Sequence, residues 1–339
     1  MSGGTDSSMA AILLQEQGYE VIGVTFVFHD GGEHHLADAR HLAERLHIRH
    51  IVYDARELFR EKILSYFVNE YMSGKTPVPC VLCNNYLKWP LLAKIADQEE
   101  AYHIATGHYV QTVRNNGRIH IQSGTDPDKD QSFFLWGLPP EILERMLLPL
   151  GAMSKRDVRE LAAQKGFRQV SVKKDSLGVC FCPGDYRDYL RAQPEAAAIR
   201  PGYYTDSNGK LLGKHDGFPF YTVGQRRGLG INLNRPTFVK EIIAAENKVV
   251  LAPLNEMYKT VMHLKDVVVN YPDEIAHHQP IICKIRYRKQ ETPCRIELLP
   301  HNRAIVTFLE PVNSVAPGQA AAFYLQDWVV GGGIIEESF

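Results

Sequence analysis

Apolar positions in about the first 110 residues alternate between two periods. From Ser7 to Gln17, Met9, Leu13, Leu14 and the alanines fall at helical spacing, and Gly18 closes the helix. Val21 to Phe28 is then a nearly unbroken β-branched and aromatic run, the composition of a strand buried in a parallel sheet. Helical period returns from Leu36 to Leu46, with short strands predicted at His50–Tyr53 and Tyr102–Thr106. The alternation predicts an α/β domain over residues 1–183, an open parallel sheet with helices on both faces. A Gly- and Tyr-rich stretch from Pro201 to Gly230 reads as a small α+β or β-hairpin central domain, assigned to residues 184–241. After it, Val249–Leu251, Val267–Val269, Ile281–Tyr287, Ile305–Phe308 and Ala320–Tyr324 are short apolar segments parted by turn residues. That pattern predicts a C-terminal β-barrel over residues 242–339.

Composition adds limits. The 339 residues are 45% hydrophobic and 23% charged, an ordinary globular balance that excludes a disordered or fibrous chain. No apolar run approaches the roughly 20 residues that span a bilayer, and the first residues lack the basic start and apolar stretch of a signal peptide. A cytoplasmic protein with no membrane partner is expected. With 38 basic and 39 acidic residues the net charge is −1, so RNA binding would rest on local basic patches.

Two sets of residues carry chemistry. Ser2-Gly3-Gly4-Thr5-Asp6-Ser7 opens directly into a helix. Its glycines let the backbone turn tightly around an anion, and the helix N-terminus adds its dipole. No Lys-Ser/Thr follows the glycines, so this is not a Walker A loop; a terminal stub with Asp6 or Ser7 capping the helix is the alternative. The second set is six cysteines, too few and too scattered in a long chain for a disulfide framework. Cys80-x-x-Cys83 and Cys180-x-Cys182 fit either a zinc site or redox-active thiols meeting across a cleft. Cys283 and Cys294 on the barrel strands read as inert core thiols. The histidines His29, His34, His35, His41, His47 and His50 match no metal spacing and read as a solvated helix face. Asp126-Pro127-Asp128-Lys129-Asp130 lacks the Gly and terminal Glu of a calcium loop.

Ser-Gly-Gly-x-Asp-Ser resembles the pyrophosphate loop of ATP pyrophosphatases. The chain as a whole is similar to tRNA-specific 2-thiouridylases within that superfamily. The match includes Pro79-Cys80-Val81-Leu82-Cys83-Asn84, Ala105-Thr106-Gly107-His108-Tyr109, Asp128-Lys129-Asp130-Gln131-Ser132 and Gly178-Val179-Cys180-Phe181. It continues through Gly224-Gln225-Arg226-Arg227-Gly228-Leu229-Gly230, Arg286-Tyr287 and Pro317-Gly318-Gln319. The resemblance implies an ATP-dependent sulfurtransferase forming 2-thiouridine at the tRNA wobble position. In this reaction ATP adenylates the uridine C2 oxygen, a persulfide on Cys180 supplies sulfur, and Cys83 resolves the intermediate through a transient Cys83–Cys180 disulfide. It places ATP, with magnesium, on Ser2 to Ser7, Phe26 and Gly107, with Asp6 a candidate magnesium partner. It places the target base at Val78, Pro79 and Cys80, and tRNA at His108, Lys129, Asp130, Gln131, Arg286, Tyr287 and Gln319. Lys173, Lys174 or a helix N-terminus would lower the thiol pKa, and a donor protein would deliver the persulfide. An iron–sulfur cluster on Cys80, Cys83 and Cys180 is the less favoured route.

Some members carry Asp at the position of Cys80, and members also carry a strand ahead of the loop. Here Met1 immediately precedes it, which predicts a frayed loop and weaker nucleotide binding. Pro90 predicts a kink or a helix start. Lys284, Arg286 and Arg288 are expected on one strand face, with Arg226-Arg227 a second basic spot and Glu291 or Glu297 the acids that would neutralise the first. Two rivals are an amidating enzyme with the same loop, which would survive alkylation of its thiols, and an RNA-binding module with an impaired ATP site, which would release no AMP.

Overall fold

Helix α1 (Thr5–Glu16), strand β1 (Ile22–Val27), helix α2 (Glu33–Leu46) and strand β2 (Arg49–Asp54) follow the predicted alternation. β1 runs parallel to β2, from Ile22 opposite Arg49 to Val27 opposite Asp54. The structure, a computed structural model, describes residues 1–30, 33–167, 178–233, 235–287 and 291–339, without the side chains of residues 33–35. The chain divides into two compact units. The first holds Met1–Ile63, Cys80–Phe181 and Gln326–Val329; the second holds Leu64–Pro79, Cys182–Leu325 and Val330–Phe339.

In the first unit, α3 (Pro79–Cys83) begins at the boundary and is followed by a wide turn, Asn84–Lys88, and α4 (Trp89–Gln98). Trp89 N–H bonds to Asn84 O, five residues back, so one extra residue is accommodated just before Pro90. Pro90 itself sits in the first turn of α4, where its missing N–H leaves no helix bond unmade. The strand expected at Tyr102–Thr106 shortens to β3 (Ile104–Ala105). Gly107 leaves the ladder to pack on α1, where an added Cβ would lie 2.5 Å from the Asp6 carbonyl carbon. β4 (Val110–Asn115) and β5 (Arg118–Ser123) form an antiparallel hairpin. Its turn, Asn116-Gly117, has φ of 49° and 79°, the left-handed pair that two-residue hairpins require. β6 (Met146–Leu147) pairs parallel with β3. α5 (Lys155–Gln164) is capped by the Ser154 hydroxyl. Met9 and Ile12 of α1, Leu42 of α2, and Val158 and Ala162 of α5 bury a shared core with Tyr109 and Leu150. Each large apolar side chain fully buried there stabilises the unit by roughly 1.5–3 kcal/mol. That core fixes the start of α1, and the loop before it, against the first turn of α5.

The second unit contains two sheets. β7 (Gly202–Thr205), β8 (Leu211–His215), β9 (Phe238–Ile243) and β10 (Lys248–Ala252) form a four-stranded sheet in the order β8-β7-β10-β9. Val249–Leu251, read as the start of the barrel, belongs to β10 and pairs with β7 and β9. The barrel consists of β11 (Tyr258–Val268), β12 (Ile281–Lys284), β13 (Glu291–Leu299), β14 (Arg303–Asn313), β15 (Ala320–Leu325) and β16 (Trp328–Ser338). Their hydrogen-bonded order is β11-β14-β13-β12-β15-β16, and β16 pairs back onto β11, closing six strands. Closure leaves the barrel no open edge. Among the described residues no helix is long and apolar enough to cross a membrane.

Candidate active site

The loop Ser2–Ser7 closes on its own hydroxyls. Ser2 N–H donates to Ser7 Oγ at 3.1 Å, and the two hydroxyl oxygens stand 3.0 Å apart. Gly3 turns the chain at φ 65°. Gly4 is the N-cap of α1 and no side chain caps the helix, so its positive end is left to an anion. Met1 is held along β1: its ammonium donates to Val24 O, and its carbonyl accepts from Thr25 Oγ1 at 2.6 Å. The loop is therefore anchored, not frayed as its position at the chain start predicts. Asp6 is fully engaged. Its carboxylate accepts from Lys155 Nζ at 2.7 and 2.8 Å and from Tyr109 Oη at 2.7 Å. Phe26 is half-buried on β1, its ring stacked 5.5 Å from Phe28.

The thiols of Cys80, Cys83 and Cys180 gather in the same unit. Cys80 and Cys83 sit half-buried on α3, while Cys180 is exposed on a loop whose Phe181 packs edge-on against Phe59 at 5.7 Å. Burial pushes Cys83 up to about 12, with Cys180 and Cys80 adding to the rise and the Lys88 charge opposing it. Burial likewise pushes Cys80 up to about 11, again with Cys180 raising it and Lys88 opposing. Although the Cys180 residue is exposed, its thiol is shielded enough from water to be raised as well, and Lys88 is the strongest influence against that rise. Cys80 and Cys83 are thus held protonated at neutral pH, against the expectation of a lowered pKa. Lys173 and Lys174, expected to lower it, lie outside the described residues. Burial, and after it the Lys88 charge, lowers the Met1 ammonium to about 5. Among the described residues no three Cys, His, Asp or Glu side chains converge as a metal-ligand set. Cys283 and Cys294 are fully buried in the barrel, and burial with a hydrogen bond to Cys294 raises Cys283.

Several residues expected to meet tRNA also bond within the protein, and one of them, His108, is buried. His108 is 8% exposed, its Nδ1 lies 2.7 Å from Thr106 Oγ1, and its ring packs on Trp89. Burial, then Lys88, lowers it to about 3, so it is neutral at physiological pH. Asp130 accepts from Gly124 N–H, Ser132 N–H and Ser132 Oγ at 2.8–3.1 Å, and Gln131 Oε1 accepts from Tyr109 N–H at 3.1 Å. These two side chains shape their own loop; Lys129 is half-buried beside them. In the second unit, the strand read across Lys284 to Lys289 ends at Lys284. Lys284 pairs with Glu291 at 3.1 Å and lies 4.2 Å over the Tyr324 ring, so the neutralising acid anticipated from sequence is there. Arg286 is exposed and donates to Asn313 O and Ser314 O at 3.1 and 3.0 Å, with Tyr287 half-buried next to it. Arg288 lies outside the described residues. Arg226 and Arg227 are exposed, and Gln319 binds the backbone of Thr76. Val78 and Pro79 lead into α3.

Residues 1–184 match a family model described as tRNA methyl transferase HUP domain, 192–253 one described as tRNA methyl transferase PRC-barrel domain, and 259–335 one described as aminomethyltransferase beta-barrel domain. The tRNA-specific 2-thiouridylase MnmA 2 of Phocaeicola vulgatus is 58% identical over 337 residues, 99% of this chain and 96% of that protein. The chain belongs to the tRNA-specific 2-thiouridylase family. MnmA 1 of Bacteroides fragilis is 52% identical over 350 residues, 100% of this chain and 96% of its own length. MnmA of Amoebophilus asiaticus is 41% identical over 356 residues, 100% and 94% respectively. The order of an α/β domain, a small central domain and a β-barrel is that expected from the hydrophobic pattern. Two lysines of this 2-thiouridylase escaped the sequence reading. Lys88 lies one wide turn beyond Cys83, a spacing that no ordinary helix puts on one face. Lys155 did leave a signal: a cation at the first position of a helix opposes the dipole, which calls for a nearby acid.

Proposed function

We propose that this chain forms 2-thiouridine at the wobble position of tRNA, using ATP to activate the base and cysteine sulfur to replace its oxygen. The observation that supports the reading is that one unit holds both a glycine-rich loop at a helix N-terminus and the three thiols. In the first step the uridine C2 oxygen attacks the α-phosphorus of ATP, and pyrophosphate leaves toward the Ser2–Ser7 loop and the start of α1. The target base must leave its stack to reach the loop Val78–Pro79–Cys80. The terminal sulfur of a Cys180 persulfide, delivered by a donor protein, then attacks C2, and AMP departs with the former C2 oxygen. Cys83 thiolate attacks Cys180 Sγ, the bond between Cys180 and the transferred sulfur breaks, and 2-thiouridine is released. A Cys83–Cys180 disulfide remains, and an external dithiol returns two electrons and two protons to it.

The elevated Cys83 pKa fits a resolving thiol that stays protonated until the intermediate is in place. Lys88 is the nearby cation that favours the thiolate. Arg286 and Tyr287 are proposed to hold the anticodon arm through the phosphate backbone, contacts that position RNA without reading bases. Mass spectrometry of tRNA nucleosides tests the assignment. Cys83→Ser and Cys180→Ser should each abolish 2-thiouridine, while Cys283→Ala and Cys294→Ala should retain it. Normal 2-thiouridine in a Cys180→Ser enzyme would sink the assignment.

A further inference from the structure

Gln319 stands in the turn between β14 and β15, where the family resemblance expects an RNA contact. The structure gives its amide a different partner. Gln319 Nε2 donates to Thr76 O at 2.9 Å and approaches Pro77 O at 3.4 Å. The same turn accepts Thr76 N–H on Pro317 O at 2.8 Å. Tyr66 Oη reaches Gly318 O at 3.5 Å and is also hydrogen-bonded to the backbone of Val78. Gly318 has φ 90°, and a Cβ there would lie 2.9 Å from both Thr76 N and Thr76 O, so the approach requires glycine. The turn is pinned in its own barrel as well: Gly318 N–H donates to Ile335 O, and Ile335 N–H donates to Gln319 O, each at 2.8 Å. On the other side of the segment, Gly74 packs on β9, where a Cβ would lie 2.9 Å from Ile242 Cγ2. Residues 74–77 are thus held between two elements of the second unit, by a backbone hydrogen bond and the Gln319 amide on one side and by side-chain packing at Gly74 on the other. They run without a break into Val78, Pro79 and the helix that carries Cys80 and Cys83.

We infer that Gln319 is a positioning residue: with Pro317 and Gly318 it straps residues 76–77 to the barrel and so sets where the loop Val78–Pro79–Cys80 presents itself to the target base. This deepens the function proposed above, since it takes that loop as the one that meets the uridine. A loop free to wander by an ångström would lose reacting geometry while leaving RNA affinity alone. A barrel residue that touched only RNA would do the reverse.

The test uses the full chain carrying Gln319→Glu, which keeps the shape of the side chain and removes the donated hydrogen bond, and Gly318→Ala, which wedges the strap apart. Three quantities are measured: single-turnover thiolation at saturating tRNA, equilibrium tRNA affinity, and hydrogen exchange of the amides of residues 75–78. Both variants should slow thiolation at least about tenfold, keep tRNA affinity within about twofold of wild type, and exchange the Thr76 amide faster. Weakened tRNA affinity with an unchanged saturating rate, or unchanged exchange at Thr76 in both variants, would overturn the inference. The exchange readout does not depend on the chemistry. If Cys83→Ser still thiolates tRNA, the reaction assignment fails while the strap stands or falls on Thr76 protection.

Discussion

Replacing Lys155 by methionine removes a charge and keeps most of the side-chain volume. Lys155 Nζ holds both oxygens of Asp6 at 2.7 and 2.8 Å, with the lysine side chain 8% exposed and the carboxylate 35% exposed. Removing one partner of a fully buried pair costs about 3–5 kcal/mol. Here solvent reaches the abandoned carboxylate and Tyr109 still donates to it, so a loss of about 2–3 kcal/mol is expected, in line with one or two charge-assisted hydrogen bonds. All three tryptophans, Trp89, Trp136 and Trp328, lie in the first unit. Tryptophan fluorescence during urea unfolding reports that unit through Trp89 and Trp136 and the start of barrel strand β16 through Trp328, which matters because a chain of two units need not unfold in one step. At about 2–4 °C per kcal/mol for a unit of this size, the thermal transition should fall by roughly 4–12 °C. The decisive measurement is the double-mutant cycle with Asp6→Asn. If Lys155 acts through Asp6, Lys155→Met should cost much less in the Asp6→Asn background, a coupling of at least about 1 kcal/mol. Additivity within about 0.5 kcal/mol would show that the ion pair does not hold the loop to α5, and would refute the reasoning.

The buried neutral His108 makes an acid-side prediction. Its folded pKa, about 3, lies below the ordinary value of 6.5, so the unfolded chain binds the proton first and stability falls as pH drops from 6.5 toward 3. The slope from this group approaches about 1.4 kcal/mol per pH unit, so stabilities from urea unfolding at pH 6.5 and 5 should differ by about 1.6 kcal/mol; His108→Gln should flatten that difference, and an equally steep acid limb in the variant would disprove it. For the thiols, Lys88→Met should slow iodoacetamide labelling of Cys83 between pH 8 and 10 by at least about threefold, half a pKa unit, and Lys88→Arg should restore it. Equal labelling rates in wild type and Lys88→Met would show that the cation does not support the thiolate.

The sequence by itself determined the elements whose signals are local. The α1–β1–α2–β2 alternation needed only hydrophobic period. The glycines of the Ser2–Ser7 loop were compatible with an anion site, and it was the family resemblance, not spacing, that set Cys83 and Cys180 apart from Cys283 and Cys294. The Asn116-Gly117 hairpin was equally legible, since its turn requires left-handed residues, but that signal went unread. Tertiary structure decided what each polar side chain faces. His108, Asp130, Gln131 and Gln319 match positions associated with RNA, yet their hydrogen bonds go to the protein's own chain, and no residue's sequence neighbours state which partner lies nearest in space. The strand through Lys284 ended early, with Lys284 turned to Glu291 and Arg286 to the carbonyls that end β14. Lys155 reaches Asp6 across 149 residues of chain, and Lys88 follows Cys83 through a wide turn that hydrophobic period does not announce. Periodicity records how a segment meets the core, whereas the charge beside a thiol or a carboxylate depends on which distant segments the core brings together.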